Sequence, residues 1–207
     1  YPEVNKEILK AELKKISSYG MAICPTLIVT KCMISLDEIY NRNYPMLNYI
    51  SPLTWEIWKM WQSQKENIPF FRQIYPYYKS FLKDLYDAEF TLLIGTDLSV
   101  AGVIPGYSVH EEMAIWQEAG IPPFDILRSA TIIPAKFMGV DKSLGSIEEG
   151  KKASFVVLSE NPLTDIKNTQ KIEGVFLHGN FFSRQEIDSI KFKINTANER
   201  LKRMCIF

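Results

Sequence analysis

Phe90-Thr91-Leu92-Leu93-Ile94-Gly95-Thr96-Asp97 decides how this chain is read. The first five residues are β-formers or apolar, a composition that predicts a buried strand. The strand then opens through Gly95 onto Thr96 and Asp97. In α/β proteins a parallel strand that ends on a carboxylate presents a metal ligand or a general base at the sheet's carboxyl edge, where that class builds its sites. Aspartate is also a common turn former that bonds its own backbone. Spacing alone leaves both roles open for Asp97.

Moving outward, Gly106-Tyr107-Ser108-Val109-His110-Glu111-Glu112-Met113 follows, then Ala119-Gly120-Ile121-Pro122 and Ala130-Thr131-Ile132-Ile133-Pro134-Ala135. Further on come Gly145-Ser146-Ile147-Glu148-Glu149-Gly150-Lys151-Lys152-Ala153-Ser154 and the turn His178-Gly179-Asn180. In this order and spacing the set resembles the carboxyl-terminal part of the amidohydrolase superfamily, and is most similar to the imidazolonepropionase and Xaa-Pro dipeptidase branch. The resemblance covers about residues 90–183. Each motif is weak alone, and the ordered series is specific. Ser154 and Ser159 depart from the family's usual aspartates, away from the chemistry.

The resemblance implies an α/β fold: the carboxyl-terminal part of a metal-dependent hydrolase (β/α)8 barrel, with its last two strands and helices, plus part of a small β-sandwich. Residues 1–140 would form the partial barrel, with an aromatic-rich insert at about 31–80. Residues 141–207 would form part of the composite sandwich and a terminal helix. In the family, the aspartate that ends the last barrel strand is both metal ligand and proton shuttle, and Asp97 is the matching position. A divalent metal, zinc in one or two ions, would activate water for attack on a C–N bond of cyclic amide or Xaa-Pro type. The alternative is a non-catalytic binding protein that reuses the scaffold.

The family's other ligands are a His-x-His pair, a bridging lysine or glutamate and two single histidines, all on earlier strands. This chain has two histidines, His110 and His178, and no His-x-His. The resemblance therefore implies the back portion of a longer polypeptide, an expectation that a chain opening on Tyr1 fits. On its own this portion would bind no metal and show no hydrolysis. His110, on the first turn of a helix, is a candidate contact to substrate or to a metal ligand, with a bonded helix-start histidine as the plainer reading. Thr96 either contacts the site or satisfies a strand-end backbone group. His178 reads as turn structure.

With 207 residues the chain can bury a sizeable core. Lysines and arginines balance aspartates and glutamates at 24 each, which argues against nucleic acid or an anionic membrane as the main partner; the resemblance implies a small-molecule substrate. No apolar run approaches the roughly 20 residues needed to span a bilayer. Cys24, Cys32 and Cys205 have no CxxC spacing, so neither a zinc knuckle nor a disulfide framework is predicted. Cys24 is read as a small core residue of an apolar strand. The compartment, cytoplasmic or secreted or periplasmic, stays open.

Residues 5–19 predict a helix with Ile8, Leu9, Leu13 and Ile16 at helical spacing and Gly20 as its stop. Residues 21–29 read as a strand, with Pro25 marking an end or a bulge. Eleven aromatics crowd residues 40–78, either as a lid over a substrate pocket or as a helical excursion packed on the barrel or on another subunit. Residues 77–88 predict a helix feeding the Phe90 strand. Ser108 and Glu111 suggest a capping box for the helix that runs to Ala119, with Val109, Met113, Trp116 and Ala119 as its buried stripe. Strands are predicted at 153–158 and 174–177, a hairpin at Gly179-Asn180, and a polar helix at 185–203. Two barrel strands alone leave open edges and uncovered apolar surface, which predicts a homo-oligomer.

Overall fold

The computed structural model describes residues 4–204; Tyr1 and Cys205, both used above, lie outside them. The architecture is mixed α/β with two separate small sheets. Helix α1 (Lys6–Ser17) starts where the Asn5 side chain accepts bonds from the Glu7 and Ile8 amides, and ends before Gly20 at φ 74°. It buries Leu13 and rests Leu9 and Ile16 on the core, while Ile8 stays exposed.

Strand β1 covers only Ala22–Ile23, and α2 runs over Leu27–Ile34, so the strand predicted at 21–29 is corrected. Pro25 offers no N–H to a ladder, and Thr26 turns left-handed at φ 48°. The apolar run beyond it becomes a buried helix, with Ile28 and Cys32 fully inside. An unbroken apolar stretch carries no period that would separate the two.

The aromatic segment is helical: α3 (Leu36–Tyr40), α4 (Pro52–Trp58) and α5 (Ile68–Asp87), joined by 3₁₀ turns. Its inner rings pack on one another. Trp55 lies 5.8 Å from Tyr40 and 6.2 Å from Trp58, which is fully buried, and the Tyr40 hydroxyl donates to the Trp58 carbonyl. Phe70, Tyr77 and Tyr78 remain exposed. Helix α5 begins nine residues before the predicted Tyr77 start and continues through Pro76.

Strand β2 (Thr91–Leu92) lies parallel to β1, with Ala22 opposite Thr91 and Ile23 opposite Leu92. Then come α6 (Ser108–Glu118), α7 (Pro123–Ala130) and α8 (Ile132–Phe137). Pro123 takes the first turn of α7, where a missing N–H costs nothing.

The second sheet is antiparallel in the order β3 (Phe155–Leu158), β4 (Ile172–Leu177), β5 (Asn180–Ser183). His178 at φ 51° and Gly179 at φ 84° make the two-residue turn between β4 and β5, so the turn reading of His178 holds. Phe155, Phe176 and Phe181 form a column with centroids 4.5 and 4.8 Å apart. Helix α9 (Arg184–Met204) closes the described chain and packs on β4, β5 and the 3₁₀ turn Leu47–Tyr49. No helix among the described residues is long and apolar enough to cross a membrane.

Candidate active site at the strand ends

Because β1 and β2 are parallel, the residues that follow them emerge at one edge. The pairing continues one step beyond β2, where the Leu93 amide donates to the Ile23 carbonyl at 2.9 Å. The Ile94 amide donates to the Ser129 carbonyl at 3.0 Å, tying the strand end to α7. At Gly95 a Cβ would lie 2.3 Å from the Cys24 sulfur, so with a cysteine at 24 glycine leaves the room that its side chain occupies.

Asp97 follows with φ 53°, and Ser99 with φ 91°. Together with Thr26 they place three non-glycine residues at positive φ around one edge. Such backbone is costly and persists where the surroundings fix it, which is common at binding and catalytic sites. Asp97 is exposed, and among the described residues it takes part in no ion pair. Its carboxylate is available to a ligand. Thr96 sits half-buried beside it.

Cys24 is exposed as a residue, which corrects its reading as a core side chain. The strand stops at Ile23 and leaves it on the rim. Partial burial of its thiol, then the negative charges of Glu112 and Asp97, push its pKa up. Asp97 and Cys24 are therefore electrostatic neighbours.

Glu112 is the residue that sequence reasoning missed. It is fully buried on α6. Its Oε1 accepts from the Leu27 amide at 3.1 Å and from Trp116 Nε1 at 2.8 Å, and its Oε2 accepts from the Ile28 amide at 2.6 Å. Those amides open α2, immediately after the Cys24–Thr26 turn, so a carboxylate from a distant helix caps α2. Burial pushes the Glu112 pKa up, and the three hydrogen bonds act against that rise. The one available signal was its place as the last polar residue of the Gly106–Glu112 motif.

The predicted capping box is not formed. Ser108 is the first residue inside α6, and its hydroxyl accepts from the Ile104 amide at 2.9 Å. Glu111 instead accepts from Lys31 Nζ at 2.9 Å and from the Tyr44 hydroxyl at 3.3 Å. The His110 Nδ1 lies 2.8 Å from Thr169 Oγ1, and its ring lines a cavity to which Asp97 does not contribute.

Among the described residues no three His, Cys, Asp or Glu side chains gather as a metal site. Asp97 is one exposed carboxylate, Cys24 is a thiol whose pKa is pushed up by burial and then by its acidic neighbours, and Glu112 is committed to three donors. This donor set does not by itself fit a divalent ion.

The profile of the Amidohydrolase family matches residues 80–182. Twenty-three solved chains are similar. A bottromycin amidohydrolase aligns with a TM-score of 0.71 at 19% identity, over 86% of this chain and 40% of its own. A prolidase complexed with N-methylphosphonate-L-proline aligns at 0.56 and 21%, over 84% of this chain and 38% of its own. A Xaa-Pro dipeptidase with bound methionine aligns at 0.56 and 20%, over 79% and 35%. At these identities the likeness is one of fold, and the chain spans well under half the length of each. Among curated proteins none matches significantly.

Proposed function

Because the Amidohydrolase family model matches residues 80–182, we propose that this chain is the part of a C–N bond hydrolase that carries its last barrel strands, β1 and β2, and the proton-transferring carboxylate, Asp97. Residues 1–140 contribute to the barrel, and residues 141–207 contribute β3, β4, β5 and α9 to a flanking sandwich. One observation carries the reading: Asp97 stands at the carboxyl edge of two parallel strands, in a left-handed turn, with no basic partner among the described residues.

The chemistry assigned to this chain is proton transfer. Water adds through oxygen to the amide carbon. Asp97 takes the proton that the water loses and returns it to the leaving nitrogen as the C–N bond breaks. Thr96 and Cys24 flank that carboxylate and shape its access. Zinc or another divalent ion, of the kind the family resemblance implies, requires donors from outside the described residues. Substrates of the Xaa-Pro dipeptide or cyclic amide class fit a site that protonates a ring or imino nitrogen.

The test is a hydrolysis screen of Xaa-Pro dipeptides and cyclic amides. It uses the polypeptide that joins this chain to the remaining barrel strands, with the 207 residues alone as the comparison. Turnover by the joined polypeptide and none by the 207 residues is expected. A joined polypeptide inert on every C–N substrate would sink the proposal.

A further inference from the structure

We infer that the cavity between α6 and α9 is a binding site for a small amphipathic monocarboxylate, seated with its charge on Lys191 and its hydrocarbon body against Ile104, Val175, Ile187 and Ile194. The cavity encloses about 430 Å³, within the range of ligand pockets. It shares no residue with the Asp97 edge, so this inference stands or falls separately from the hydrolase reading.

Helix α9 supplies one wall through Arg184, Ile187, Lys191 and Ile194. Steps of three and four residues keep these four on a single helix face. No aspartate or glutamate lines the cavity, so its charge is wholly cationic. Arg184 is already occupied: Nε donates to Asp188 at 2.9 Å and Nη1 to the Ile172 carbonyl at 3.1 Å. Lys191 enters none of the ion pairs among the described residues. One available ammonium, without the paired donors a phosphate clamp uses, matches a singly charged head.

His110 fixes the polarity of the opposite wall. Thr169 spends its own hydroxyl proton on the Ile166 carbonyl at 2.8 Å, so its oxygen accepts from His110 Nδ1–H. That tautomer leaves Nε2 as the acceptor of a ring that lines the cavity. Burial and the Lys191 charge hold the imidazole below its ordinary pKa. An anion seated on Lys191 relieves that repulsion.

His110 and His178 are the two histidines of the chain, so imidazole proton NMR reads the site with an internal control. Octanoate is the probe, and octanol and inorganic phosphate are the comparisons. Octanoate at millimolar concentration is expected to shift the His110 resonance saturably, to raise its titration midpoint and to leave His178 unmoved. Lys191→Gln, an exposed substitution, should weaken octanoate about tenfold, as loss of a charged hydrogen bond predicts. No saturable shift at His110 would overturn the inference. So would octanol or phosphate binding as tightly as octanoate, or an unchanged affinity in Lys191→Gln.

Discussion

Replacing Glu112 tests how the strand-end turn is held. The carboxylate satisfies three donors, the Leu27 and Ile28 amides and Trp116 Nε1, in a fully buried position. Glu112→Ala leaves all three without a partner, at about 1 kcal/mol or more each. Part of that loss is offset, because a buried carboxylate no longer has to be desolvated. The balance is a destabilisation of about 2–3 kcal/mol, and for a chain of this size it lowers the melting temperature by roughly 5–10 °C. Glu112→Gln is milder. An amide oxygen at the Oε1 position still serves Leu27 and Trp116, and only the Ile28 amide faces a second donor, a cost of about 1–2 kcal/mol. Thermal melts followed by circular dichroism rank the three proteins, and hydrogen exchange at the Leu27 and Ile28 amides localises the effect. The sign with pH is also set. Because burial raises the folded pKa of Glu112, its contribution is fully present below the ordinary carboxylate value and is lost as pH rises through the raised one. The margin of wild type over Glu112→Gln should therefore narrow from acid towards neutral pH. A Glu112→Ala protein that melts with the wild type, with unchanged exchange at both amides, would refute the reasoning.

Three further outcomes are expected. Gly95→Ala drives a methyl to 2.3 Å from the Cys24 sulfur and should cost about 1–3 kcal/mol; adding Cys24→Ala should restore most of it, and additive effects in a denaturant double-mutant cycle would exclude the contact. In a Cys205→Ser background, iodoacetamide at mildly alkaline pH should label Cys24 well before Cys32, whose fully buried thiol is pushed up to about 12 by burial; equal rates by mass spectrometry would contradict the packing of α2. Val156, Val157, Leu177 and Phe181 stay exposed on the small antiparallel sheet, so sedimentation should find the isolated chain self-associated, and a monomer at all concentrations would count against that expectation.

What could be read from the residues was local. The strand in the Phe90 run, of which Thr91–Leu92 pairs with β1, the hairpin, read at Gly179-Asn180 and formed one residue earlier by His178-Gly179, and the terminal helix each carry their own signal, a short β-rich run, turn chemistry and a long polar period. Residues 21–29 misled because a continuous apolar run fits a buried strand and a buried helix alike; only Thr26 at φ 48° settles it. Ser108 and Glu111 have capping-box spacing, yet packing puts Ser108 inside the helix and draws Glu111 to Lys31. Glu112 was hidden for a different reason. Its partners at Leu27 and Ile28 lie 85 and 84 residues away, and no pattern within a helix can announce a cap for another one.

The most direct test of the hydrolase account is Asp97→Asn in the joined polypeptide, followed by kcat and KM on a Xaa-Pro dipeptide. Loss of the proton carrier should lower kcat by about 10²–10⁴-fold while KM stays near its wild-type value. Retention of wild-type kcat in Asp97→Asn would contradict the account.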